Sequence, residues 1–422
     1  LTCIKTNARR FRQHRLSEPA MLAHLQRRVA VLTGAGLLAL SGGLRAADGL
    51  GDALRDGKPW AELRYRYEHV AQASVARHAN ASTLRARVGY ETGRLAGFAV
   101  LLEAEAVTAL GAERYNSTVN GKTAFPTVAD PGDTEINRAA LLYAGLPKTS
   151  LAYGRQRIAY DNQRFVGNVG WRQNEQTYDA FTVVNESLPD TRISAGYIYN
   201  VNRVFGERSP VGNVKMASPV LNVSYRGLAV GELVGYVYAL DFKVTPAAST
   251  QTWGLRLRGS RPFGDARATY TAEYAVQRDY RGNPADFRLK YYRLEAGAAL
   301  QALDFNVGYE VLGSNGTVAV QTPLATLHAM NGWADVFLVT PAAGLRDFFP
   351  SVATTLAGIR LEAIRHDFRA DRGGFRHGTE WDLQAVKAID KVWSVGAKYA
   401  AYRARRTAVD TDKFWLWVEA KF

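Results

Sequence analysis

Arginine and glutamate recur at two-residue spacing along this chain, and that spacing limits the chemistry they can do. Arg64 and Arg66, then Arg85 and Arg87, share alternate positions with Glu62, Glu68 and Glu91. Glu103 and Glu105 follow, then Arg256 and Arg258, Arg293 and Glu295, Arg360 and Glu362, and Lys398. Residues two apart on an extended strand point to one face, so each group stands on one side of a sheet. Free guanidinium forks in such a row attract carboxylates. Arginine and glutamate can instead pair across strands and only hold the wall together. Glu103 and Glu105, about 7 Å apart, also match the separation of a glycosidase acid and base, with a plain polar wall as the competing reading. His328 near Asp335 suggests a hydrolytic centre, but no strained serine elbow accompanies it, so His328 reads as a loop-packing residue.

The elements that position these groups are strands. From Trp60 onward the dominant hydrophobic period is two, as where Leu63, Tyr65 and Tyr67 alternate with the charged residues around them. Similar runs recur near 84–91, 97–106, 135–145, 149–158, 172–185, 190–200, 218–226, 228–241, 250–261, 266–277, 289–300, 303–313, 351–364, 376–387, 392–403 and 411–422. One face of each run is apolar enough for lipid. An Arg or Lys turned toward lipid at the midplane costs roughly 2–4 kcal/mol, so the charged faces point inward. Short connectors alternate with long ones until residues 314–350, where the alternation slips by one strand. A strand at 333–340, turned by Pro341 to Gly344, restores it. The expectation is an all-β chain, a single 18-stranded antiparallel transmembrane β-barrel, with loops 107–134 and 314–332 constricting its mouth.

Composition agrees with a barrel and excludes other classes. The mean hydropathy is −0.20 and 47% of the 422 residues are hydrophobic, too few for a bundle of membrane helices. The single cysteine, Cys3, offers no disulfide framework, and seven histidines give a metal or haem site little to build on, so no cofactor is expected. Residues 1–20 read as an upstream extension, 21–46 as a signal peptide with a basic start and an apolar run, and 47–57 as a short periplasmic segment. The barrel is expected over 58–422. Half of the formal net charge of +14 lies in residues 1–47, and 41 of the 53 basic residues are arginine. The basicity suits an anion-attracting lumen, and no nucleic-acid motif accompanies it.

Phe414, Leu416, Val418, Ala420 and Phe422 face one way, while Trp415, Trp417, Glu419 and Lys421 face the other. The run resembles the closing strand of outer-membrane barrels, whose terminal aromatic, here Phe422, is read by the barrel-assembly machinery. The two inward tryptophans either pack against loops or touch sugar rings. Two further segments go beyond barrel alternation. One is Gly154-Arg155-Gln156-Arg157 with Asn162-Gln163-Arg164-Phe165-Val166-Gly167, Trp171-Arg172-Gln173-Asn174 and Tyr178-Asp179-Ala180-Phe181. The other is Thr322-Pro323-Leu324-Ala325-Thr326-Leu327-His328 running into Asn331-Gly332-Trp333-Ala334-Asp335. Together they resemble the alginate-export family of outer-membrane channels over residues 60–422. That resemblance implies a monomeric barrel in outer-membrane lipid whose Arg-lined lumen passes anionic sugar polymers. Small anionic solutes are the other cargo expected of such a lumen; a general or substrate-specific uptake porin for small solutes, and an outer-membrane hydrolase, are the rival expectations.

Overall fold

The computed structural model describes residues 46–422, so the extension and most of the proposed signal segment lie outside the described residues. A helix, α1 (Ala46–Arg55), precedes eighteen strands. The strands are β1 (Lys58–Gln72), β2 (Ala79–Glu91), β3 (Phe98–Ala109), β4 (Asp133–Leu146), β5 (Thr149–Gln156) and β6 (Thr177–Asn185). β7 (Thr191–Asn202), β8 (Asn213–Leu228), β9 (Gly231–Leu240), β10 (Thr250–Phe263), β11 (Ala266–Asp279) and β12 (Arg288–Leu300) follow. The last are β13 (Leu303–Leu312), β14 (Leu345–Leu356), β15 (Ile359–Arg369), β16 (Arg376–Ala388), β17 (Trp393–Ala404) and β18 (Thr411–Lys421). Each strand pairs antiparallel with its sequence neighbours. β1 also pairs with β18, from Glu62 opposite Lys421 to Gln72 opposite Thr411, which closes the sheet into a barrel without free edges.

Alternation builds both surfaces of the wall. Leu63, Val88, Leu102, Tyr153, Leu255, Leu294, Leu383 and Leu416 are exposed on the outside, while the residues between them are buried or half-buried inside. One end carries short turns, five of them of two residues. The other carries nine longer loops, L1 to L9. L2 (110–132), L3 (157–176) and L7 (313–344) are the longest.

The strand count matches the sequence reading, but the fourteenth strand does not lie where the alternation put it. Residues 333–340 are not a strand. They belong to L7, and their apolar character comes from packing inside the barrel: Trp333, Ala334 and Phe337 are buried, with Phe337 against Phe368, His377 and Tyr402. The run 351–364 is two strands. Ala357 and Gly358, both with positive φ (50° and 75°), make a two-residue turn of the kind that suits strand twist. An Ala-Gly turn between apolar flanks leaves almost no mark on the period.

Candidate functional site

The two segments that stood out from the alternation meet inside the barrel. L3 leaves the wall between β5 and β6, L7 between β13 and β14, and a parallel bridge joins Val166 to Leu324. The Gly167 amide donates to the Leu324 carbonyl at 2.8 Å, the Thr326 amide to the Gln163 carbonyl at 3.0 Å, and the Val169 amide to Thr326 Oγ1 at 3.0 Å. Gln176 and Tyr178 donate to the Gly167 carbonyl at 2.9 and 2.7 Å, which fixes the return of L3 to the wall. The result is a partition across the lumen.

The wall holds the partition by burying charge against it. Arg64 donates to Gln173 Oε1 at 3.0 Å and to the Gly170 and Arg172 carbonyls. Arg66 donates to the Trp171 carbonyl and pairs with Asp130 of L2. Arg172 lies 3.1 Å from Glu68 and 3.0 Å from Asp335 of L7, and Lys413 reaches the same Asp335 oxygen at 2.7 Å. Burial alone would raise the Asp335 carboxyl, but Lys413, His328 and Arg172 outweigh it and hold it well below the usual carboxylate range. His328 Nδ1 is 2.8 Å from Asp335, and its Nε2 is 3.3 Å from Lys398 Nζ. Burial pushes the His328 imidazole down to about 3, so the ring is neutral, with Nδ1–H donating and Nε2 accepting. Its ring stacks on Trp171 at 4.7 Å, and Lys398 sits between Trp171 and Trp333, 4.2 and 4.0 Å from the ring centres.

The remaining sequence-selected residues divide by position. Arg85 reaches Glu62 at 3.1 Å and Glu419 at 3.3 Å, and Arg87 pairs with Glu105. Glu103 accepts from Trp60, Asn137 and Arg138, so neither carboxylate of that pair faces open solvent. Arg66 Nε, Arg85 Nε and Arg87 Nη2 have no protein acceptor, although each guanidinium is ion-paired through its other nitrogens. Arg164 lies 3.1 Å from Glu310 and donates to Asn331 at 2.8 Å. Arg256 is buried near Glu273, Arg293 lies between Glu295 and Glu310, and Arg360 pairs with Asp304 nearer the short turns. Glu362 receives a long contact, 3.5 Å, from Gln384. Arg155 and Asp179 lie side by side in register on β5 and β6, 3.1 Å apart, while Arg157 turns onto Glu175. Arg87 and Arg157 overcome burial and hold the Glu175 carboxyl down at about 2. Trp415 and Trp417 pack edge-on against Trp171. The alternation did not mark L3 as a constriction, because nothing in its polar sequence says that it folds inward.

The partition separates two water-accessible chambers. On the long-loop side lies a cavity of about 520 Å³ whose walls include Val70, Phe205, Leu327, Leu338 and Val339. Arg172, His328, Asp335 and Lys413 also line it. On the short-turn side a cavity of about 560 Å³ is lined by Arg94, Arg157, Arg192, Arg226 and Arg258 against Asp161 and Glu232. Among the described residues no group of three or more His, Cys, Asp or Glu is placed to hold a metal ion.

No protein-family model matches the chain, and no curated protein matches it in sequence. Solved structures do share its fold. Pseudomonas aeruginosa OccK9 (OpdG) superposes with a TM-score of 0.70 at 14% identity, covering 88% of this chain and 99% of that one. Acinetobacter baumannii OccAB2 gives 0.71 at 14% identity, with the same coverages of 88% and 99%. P. aeruginosa OpdK, solved with vanillate, gives 0.66 at 13% identity over 87% of this chain and 99% of its own. The fold is therefore a closed 18-stranded antiparallel barrel like that of these outer-membrane channels.

Proposed function

We propose that this protein is an outer-membrane channel, long loops outermost, that admits small carboxylate-bearing solutes by passive diffusion. The observation that carries the reading is the partition itself: L3 and L7 join across the lumen between a largely apolar-walled chamber and an arginine-rich one. A solute with an apolar body matches the first chamber's walls, where Arg172 and Lys413 are held by Glu68 and Asp335. Beyond the partition, Arg94, Arg157, Arg192, Arg226 and Arg258 line the chamber against two lining carboxylates, Asp161 and Glu232, while Arg157 and Arg192 also pair with Glu175 and Glu186. In a narrow lumen with low-dielectric walls such an excess focuses field and favours anions. OpdK, solved with vanillate, gives a precedent for an aromatic carboxylate in a barrel of this fold.

The resemblance of the L3 and L7 segments to alginate exporters supports a second reading, passage of an acidic polysaccharide. Loops zipped together by backbone hydrogen bonds suit small solutes better than a polymer. Planar-bilayer recordings decide between these. The expected result is a reversal potential on the anion side, reduced in an Arg192→Gln/Arg226→Gln/Arg258→Gln variant, with current blocked by benzoate. Cation selectivity would overturn the anion reading, and block by oligouronates at lower concentration than by benzoate would favour the polymer.

A further inference from the structure

The outer surface of the barrel carries arginines that the channel reading does not use. Side chains directly opposite on antiparallel strands stand about 4.5–5.5 Å apart, and like charges there are destabilising. Among the described residues, this wall places Arg346 opposite Arg369, Arg369 opposite Arg376, and Arg278 opposite Arg288, all at the long-loop end. Arg346 and Arg278 share the parity of Phe348 and Tyr274, which are exposed on the outside, and a register shift at Phe368/Arg369 turns Arg376 to the same face, with His377 buried.

The first three form a continuous row across β14, β15 and β16, just beyond the apolar band. Arg365 stands opposite Trp381 at the edge of that band, with its guanidinium 5.4 Å from the indole centre. Among the described residues, its donors go only to the His366 and Glu380 carbonyls, at 2.5 and 3.1 Å. Two carboxylates offset the row: Asp367, 3.2 Å from Arg369 and 2.6 Å from Arg376, and Asp371, 2.9 Å from Arg346. Four guanidinium groups thus face two carboxylates. This is not a general property of the rim, since on β1 to β3 the same level holds Tyr67, His69, Asn80, Ser82 and Thr108.

We propose that Arg346, Arg365, Arg369 and Arg376 form a binding site for the phosphate groups of a glycolipid headgroup in the outer leaflet. A phosphate carries up to two negative charges and three acceptor oxygens, enough to bridge two opposed guanidinium groups and relieve their repulsion. The occupant is a lipid rather than a transported solute because the sheet separates this row from the lumen. The row is also continuous with the apolar surface that would hold acyl chains. The inference rests on the reading of the chain as a membrane channel with its long loops outermost.

Native mass spectrometry of the full chain in detergent tests it, with diphosphorylated lipid A as the probe and dephosphorylated lipid A as the comparison. The expected result is a preference of about tenfold or more for the phosphorylated form, lost in Arg346→Gln/Arg369→Gln/Arg376→Gln and kept when the same three positions become lysine. Without lipid, the Gln variant should melt close to wild type, because the opposed like charges and the part-exposed ion pairs to Asp367 and Asp371 are lost together; a merely structural role would lower it. Equal binding of both lipids by wild type, unchanged binding by the Gln variant, or displacement by millimolar inorganic phosphate would each overturn the proposal. Should the Gln variant fail to fold, the wild-type preference still decides. Conductance in phosphatidylcholine bilayers is read separately: its absence alongside retained lipid A preference would sink the channel reading and leave the lipid site standing.

Discussion

Arg172 joins three parts of the molecule through one side chain and its own carbonyl. Its guanidinium meets Glu68 of the wall and Asp335 of L7, while its carbonyl accepts from Arg64. Breaking a buried pair by removing one partner costs about 3–5 kcal/mol, because the charge left behind is uncompensated. Arg172→Gln should therefore release L3 locally, seen as larger and noisier single-channel current with anion preference retained. Acid should act on the same cluster. Asp335 and Glu175 titrate below ordinary carboxylates when folded, so their contribution is complete above the ordinary carboxylate range and lost as pH falls below it toward their folded values, about 2 for Glu175. His328, held at about 3 against an ordinary 6.5, adds stability that is full above 6.5 and drains away as pH falls toward 3. Docking of the partition should weaken between about pH 6 and pH 3, with Trp fluorescence and current noise as readouts. His328→Gln should remove the upper part of that window. A flat response across it would contradict the cluster's role. Alternation assigns Arg64, Arg66, Arg85 and Arg87 to a face; it cannot say that L3 will cover them, because the covering residues lie some hundred positions away.

L7 shows what an element needs in order to fold inward. Asn331, Gly332 and Asp335 all have positive φ, and a Cβ at Gly332 would lie 2.4 Å from Glu380 Oε2. Glu380 cannot swing aside freely, since it is buried and accepts from the Ala334 amide at 2.6 Å. Gly332→Ala should thus combine backbone strain with a lost anchor, about 1–3 kcal/mol for the strain alone. The expected outcome is an undocked L7 in an intact barrel, seen as raised conductance and faster proteolysis within 313–344 with unchanged heat-modifiable gel migration. The strand count was legible in the sequence because membrane strands must alternate. The place of β14 was not. Trp333 to Thr340 is apolar for a reason other than lipid, and the Ala357–Gly358 turn interrupts no period. Both L3 and L7 carried a signal in their non-periodic motifs, but the sequence held no sign that the two would pair.

At the scale of the whole molecule, the chambers differ in chemistry as well as in side. One meets a solute with an apolar wall and a mixed-charge cluster, the other with a surplus of arginine. On the proposed reading, passage between them requires the L3–L7 junction to yield. A disulfide between cysteines placed at Val166 and Leu324 tests this, since these residues are the bridged partners of the two loops. Oxidation should hold the acid-treated channel at its neutral-pH conductance, and reduction should restore the acid response. An oxidised channel that still opened in acid would place the moving part elsewhere.

The junction has a mechanical consequence as well. Eighteen strands closed on themselves make a hoop, and a hoop's softest deformation is to flatten. L3 and L7 leave the ring eight strand positions apart, close to a diameter, and are tied to each other and to β1, β2, β13 and β16. They act as a spoke, so a barrel whose diameter is set by its strand number is braced against flattening by two of its own loops.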